Sequence, residues 1–167
     1  MNETPQDPAG PPEENDGAAV RFPPPFVPLV VLGVGVLVHA LVWPLDLPVA
    51  GLVRWGLAAL LVAAGIALMA GAIGLFKRTG QDPKPWLATP EIISSGVYRF
   101  TRNPMYLGMG VLQAGLGVAL ANAWVVLLVP VTGAVIQTIA IRHEEAYLER
   151  KFGTLYADYR SAVRRWL

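Results

Sequence analysis

Cysteine is absent from all 167 residues, which excludes disulfides, thiolate catalysis and Cys-type zinc sites. Histidine is almost as scarce, with two residues. His39 stands alone inside an apolar block, where one imidazole without further ligands makes no metal site; a hydrogen bond to a neighbouring helix is its expected role. Basic residues are missing from residues 1–17, which hold Glu3, Asp7, Glu13, Glu14 and Asp16, five of the chain's twelve acids. That stretch has neither the basic start nor the adjoining apolar core of a secretory signal. Its Pro, Gly, Glu and Asp content cannot bury enough surface to fold, so residues 1–24 are expected to form a disordered cytoplasmic tail.

What the chain does have is apolar sequence in long blocks. Hydrophobic residues make up 54% and the mean hydropathy is +0.47, the composition of a small integral membrane protein. A membrane-spanning helix needs about 20 predominantly apolar residues, and four blocks qualify, at about 26–43, 49–76, 105–120 and 124–141. The second carries one charge, Arg54, and the fourth is interrupted by Pro130. The turn ANA joins the last two into a tight helical hairpin. Lys and Arg near span ends stay on the cytoplasmic side. With both termini inside, twelve of the thirteen basic residues fall on that side and only Arg54 lies near the outer face. The expected fold is therefore an all-α integral membrane protein of four transmembrane helices. In the C-terminal segment, residues 142–167, Phe152, Tyr156, Tyr159, Val163 and Trp166 recur at steps of four, three, four and three. They mark one face of an interfacial amphipathic helix whose other side carries Arg160, Arg164 and Arg165; it lies in the headgroup plane or folds back over the helix ends.

The polar residues gather on the cytoplasmic side. Residues 77–104 form a long loop ending in RFTRNPMY, where Asn103 reads as the N-cap and Pro104 as the first residue of the third helix. The free amides and positive dipole end of that helix suit a carboxylate or phosphate. At the inner end of the fourth span come Arg142, His143, Glu144 and Glu145. Acids beside a negative leaflet are repelled, so this pair needs partners. Helical steps place Glu144 on a face with Gln137 and Ile141, and Glu145 on a face with Thr138 and Arg142. Gln113 reads as interhelical glue, and Gly65, Gly71 and Gly74 as sites of close helix packing. The GMG at 108–110 follows no strand and is no dinucleotide fingerprint.

The series SSGVYRFTRNPMY, an apolar hairpin, and EEAYLERKFGTLYADYRSAVRRW resembles the isoprenylcysteine carboxyl methyltransferase and phospholipid methyltransferase superfamily of membrane enzymes. The residues that carry the likeness are Gly96, Tyr98, Arg102, Asn103, Pro104, Tyr106, Glu144, Glu145, Leu148, Phe152, Gly153, Tyr156 and Tyr159. The resemblance implies S-adenosylmethionine as cofactor, in contact with Pro90, Glu91, Ile92, Ile93, Tyr98, Asn103, Pro104, Met105, Tyr106 and Glu144. Candidate catalytic residues are Arg102, Arg142 and Glu145, with Glu145 or Glu144 as base where the acceptor is an amine. Isoprenylcysteine enzymes show R-H-P where this chain has R-N-P, and their substrate arginine aligns with Ala140, so the acceptor does not transfer with the likeness. The implied reaction is methyl transfer to an amphipathic or lipid-like acceptor bearing a carboxylate, thiol or amine. The bilayer is the expected partner; neither nucleic acid nor a metal is. The alternatives are a non-catalytic membrane scaffold or subunit, and an NADPH-dependent reductase of related fold.

Overall fold

The computed structural model describes residues 17–20, 22–49 and 51–167; residues 1–16, most of the expected tail, lie outside them. Among the described residues the chain is helical, without a β-strand: α1 (Phe26–Leu41), α2 (Gly51–Arg78), α3 (Pro104–Ala119), α4 (Ala123–Leu127), α5 (Val129–Ile136), α6 (Arg142–Phe152) and α7 (Thr154–Ala162). A 3₁₀ turn, Gly96–Arg99, precedes α3, and a π-helical turn, Gln137–Ile141, joins α5 to α6.

Two helical stretches are long and apolar enough to cross a membrane, Gly51–Arg78 and Ala123–Phe152; Phe26–Leu41 and Pro104–Ala119 are apolar but shorter. Sixteen residues rise about 24 Å, short of a hydrocarbon core of about 30 Å. α2 is apolar around most of its circumference, yet Leu52, Val53, Leu60 and Ile66 are exposed. A helix of that kind belongs in a protein core or a bilayer, and α2 is not in the core.

α2 and α3 make the most extensive helix contact, and Gly65 is the reason that they can. A Cβ there would stand 2.8 Å from the Gly108 carbonyl oxygen, so any side chain would push the helices apart. Of the other two glycines expected at packing sites, Gly71 faces Val97 of the 3₁₀ turn, whereas Gly74 has open space beside it. Gln113 is the expected glue: its Nε2 donates to the Val125 carbonyl and its Oε1 accepts from Thr132 Oγ1 at 2.7 Å. His39 differs from expectation, because its Nδ1 accepts from the Leu45 backbone in the turn after its own helix.

Two expectations are corrected. From Gly17 the chain is packed: Ala18 N donates to the Pro85 carbonyl, and Ala18, Val20 and Pro24 are buried. The apolar side chains of residues 18 and 20 find a hydrophobic cluster with Val27, Tyr106, Ile136, Ala140, Ile141 and Tyr147. The C-terminal segment is also not one helix. Gly153, at φ +51°, separates α6 from α7, a conformation L side chains rarely adopt. α7 stops at Ala162, Val163 is extended, and the chain folds back over the helix ends.

Candidate functional site

The returning C-terminus lands on the turn that starts α3. Arg102 N donates to the Arg164 carbonyl at 3.0 Å, and the Arg165 carbonyl accepts from both Thr101 Oγ1 and Asn103 Nδ2, each at 3.0 Å. Pro104 is at the first position of α3 as expected, but the Asn103 side chain makes no capping bond. Its amide is used 62 residues away instead. The turn is thereby fixed from outside the helix that it begins.

The π-helical turn sets the second wall. Its wider turn shifts the register of all that follows, and the face assignment made with uniform α-helical steps fails. Gln137 Oε1 accepts from Trp166 Nε1 at 3.3 Å. Arg142, expected beside Glu145, is exposed to solvent. Glu145 pairs with two other arginines: Arg165 grips both carboxylate oxygens, at 2.9 and 2.7 Å, and Arg102 NH1 lies 3.0 Å from Oε1. Arg102 NH1 also donates to the Tyr156 hydroxyl. A fork-on-carboxylate pair of this kind fixes geometry as well as charge.

Glu144 is held differently. Its carboxylate accepts a hydrogen bond from the Tyr106 hydroxyl and is enclosed, although the residue as a whole is only half-buried. Burial pushes its pKa up to about 7, and the neighbouring Glu145 charge adds to the rise against the opposing Tyr106 bond. Burial also raises Tyr98, followed by the Glu144 charge. Two adjacent glutamates thus take opposite states, one tied to two cations and one poised to exchange a proton near neutrality.

The loop supplies the third wall. Tyr159 donates to the Tyr98 carbonyl and Thr89 N to the Tyr147 hydroxyl, which draws residues 81–98 over α6 and α7. Together the walls enclose a pocket, and it collects Glu91, Ile92, Ile93, Tyr98, Arg102, Asn103, Met105, Tyr106, Glu144 and Glu145. Three expected site residues are not in its lining: Pro90 and Arg142 are exposed and Pro104 is buried beneath the turn. Residues that sequence reasoning missed are Gln81, Tyr147, Tyr156 and Tyr159, with Ala18 at the edge. The tyrosines did carry a signal, the helical stripe of the C-terminal segment; Gln81, one polar residue in a polar loop, carried none. Two buried polar groups have no hydrogen-bond partner among the described residues, the Gln81 side-chain amide and Arg102 Nε, and both line this pocket. A second, mostly apolar cleft lies between α3 and α5, walled by Gly110, Ala114, Gly133 and Ala134 and closed by Trp166. Tyr106 borders both spaces.

An enclosed carboxylate of raised pKa, an unused guanidinium N–H and a helix start around one pocket can bind a zwitterion. The adjoining cleft can take an apolar chain. Residues 53–155, more than half of the chain, match the model of a protein family described as PEMT, phospholipid methyltransferase. No curated protein and no solved structure matches.

Proposed function

This chain belongs to the phospholipid methyltransferase family, and on that premise we propose that it transfers a methyl group from S-adenosylmethionine to an amphipathic or lipid-like acceptor at the cytoplasmic face of a membrane. The observation that carries the reading is Tyr106. One side chain borders both the polar pocket and the apolar cleft, so a donor in the first and an acceptor tail in the second would meet beside it.

The residues present fit the cofactor. Arg102 Nε is a buried donor in need of an acceptor, and the first-turn amides of Met105 and Tyr106 have no intrahelical partner by position. Both suit a carboxylate. Glu144 offers oxygens to an ammonium or a ribose diol, and Tyr98, Ile92, Ile93 and Met105 provide apolar wall. When bound, S-adenosylmethionine supplies an electrophilic methyl group on a sulfonium. The methyl carbon's bond to sulfur breaks as its bond to the acceptor lone pair forms, and the protein's part is alignment and exclusion of water.

An amine acceptor must first lose a proton. Glu145, already accepting from Arg165 and Arg102, is a poor base. Glu144, at about 7, is matched to the task, in addition to the cofactor contact assigned to it. Carboxylate and thiolate acceptors need no base. The proposed topology keeps four spans and cytoplasmic termini, with the two 16-residue helices met by local thinning of the bilayer. The exposed apolar surface of α1 and α2 and the distribution of Lys and Arg support it.

The test is incubation of purified protein with methyl-tritiated S-adenosylmethionine and a membrane lipid extract. Label in the organic phase is expected; protein that binds no S-adenosylmethionine overturns the reading. The C-terminus is placed by a reporter fused after Leu167, for which alkaline phosphatase activity outside the cytoplasm would refute the topology.

A further inference from the structure

Gln81 occupies a position where the fold has no use for a polar side chain. α2 ends in a Schellman motif: Gly80, at φ +69°, donates its N–H to the Lys77 carbonyl at 3.3 Å, and Gln81 donates its own to Phe76 at 2.8 Å. The residue that makes the second of these bonds normally packs an apolar side chain back on the helix. Here that place holds a glutamine, only 7% exposed. Neither Nε2 nor Oε1 of its amide has a partner among the described residues, and the side chain lines the pocket. Folded chains satisfy buried amides, so this one points to a ligand. The backbone bond to Phe76 fixes where it stands.

A primary amide presents a donor and an acceptor side by side in one plane. That is the complement of an adenine edge, where the exocyclic amine adjoins a ring nitrogen acceptor. The neighbourhood agrees. Phe76, Pro83, Pro85 and Ala18 supply apolar pocket wall on the Gln81 side, and Ala18 is bonded to Pro85. Charged partners for a zwitterion come from another wall, through Arg102 and Glu144.

We propose that Gln81 is the residue by which the pocket recognises adenine, its Oε1 accepting from the exocyclic amine and its Nε2 donating to the adjacent ring nitrogen. The proposal rests on the S-adenosylmethionine reading above and extends it to base selection, a role that neither the family match nor the sequence motifs give to this position.

The experiment is calorimetry on the full chain in detergent with S-adenosylhomocysteine and its 6-deamino purine analogue, for the natural protein and for Gln81→Leu and Gln81→Glu. The natural protein should prefer S-adenosylhomocysteine by about tenfold. Gln81→Leu should lose about tenfold in affinity for S-adenosylhomocysteine and bind the two ligands within about twofold of each other. Its ligand-free melting temperature should be unchanged or higher, since leucine suits the position. Gln81→Glu, which keeps an acceptor and loses the donor, should fall between. Natural protein that binds S-adenosylhomocysteine, with a Gln81→Leu variant that keeps the preference, overturns the assignment of Gln81 and leaves the cofactor reading standing. Natural protein that binds neither ligand overturns both.

Discussion

The two ends of the helical bundle use their polar residues in opposite ways. At the end where α1 leads to α2 and α3 to α4, polar groups close on nearby helix ends and backbone. Asn122 Oδ1 caps α4 by accepting from Val125 N at 3.2 Å, and its Nδ2 donates to the Gly35 carbonyl. Trp124 Nε1 donates to the Trp43 carbonyl at 2.8 Å. At the other end, Asn103 caps nothing and donates to the C-terminal chain. Glu144 there is enclosed with a tyrosine, and two buried polar groups stay without partners among the described residues. The first end is built to finish helices. The second spends its polar groups on a cavity, at a cost to stability that only a ligand offsets.

The largest test of that contrast is Glu144→Ala. S-adenosylhomocysteine affinity, measured by calorimetry, is expected to fall by roughly 100-fold or more, the loss of a charge-assisted contact. The ligand-free melting temperature should be unchanged or raised, because a buried carboxylate is removed. A large loss of melting temperature with affinity intact would make Glu144 a structural residue like those of the opposite end.

pH probes the same carboxylate without mutation. Its pKa in the folded chain, about 7, lies above the model value of 4.5. The folded state therefore binds this proton more tightly than the unfolded state does. Its stability contribution is fully present below about 4.5 and is lost as pH rises through about 7, up to about 3 kcal/mol. Ligand-free stability should fall across that window, while affinity for a cationic cofactor rises as the carboxylate charges. Denaturant titrations of the natural protein and Glu144→Gln check it: the slope should vanish in the variant.

Arg165→Ala should destabilise by about 1–2 kcal/mol. It removes the two-pronged grip on Glu145 but leaves Arg102 to balance the charge, and the Arg165 carbonyl keeps its bonds to residues 101 and 103. Unfolding midpoints give the size. Cofactor affinity should drop only a few-fold, through a looser Arg102.

The two asparagines give the smallest and sharpest comparison. Asn122→Ala removes a true cap and should cost about 1 kcal/mol without touching cofactor affinity. Asn103→Ala should cost a similar amount by freeing the C-terminal chain, and should weaken cofactor binding severalfold because the start of α3 loses its support. Equal, unchanged affinities in both variants would erase the distinction between the ends.

Much of this was legible in the sequence, and the failures have specific causes. Ten of the thirteen expected site residues line the pocket because the RNP turn and the paired glutamates are local motifs on either side of an apolar hairpin, and a hairpin returns its ends to one place. Arg142 was misplaced because a π-helical turn leaves no mark in the periodicity of residues 137–141. Asn103 was misread because Asn-Pro before an apolar run is the pattern of a capped helix, and the partner that draws its side chain away is 62 residues distant. Gln81 was invisible: only burial distinguishes it from the polar residues around it.

By itself, then, the sequence determined the apolar blocks, the loop between the second and third, the concentration of charge on one side, and the family. These follow from composition and short-range periodicity, which act through solvent preference and the helical repeat alone. The tertiary structure decided which guanidinium meets which carboxylate, which glutamate is neutralised by cations and which is enclosed, and which polar groups are left facing the pocket. Those outcomes depend on contacts made across 20 to 64 residues of chain, redirected by the π-helical turn and by Gly153. A hydrogen bond is decided by distance and direction in space, and no local pattern of residues encodes either.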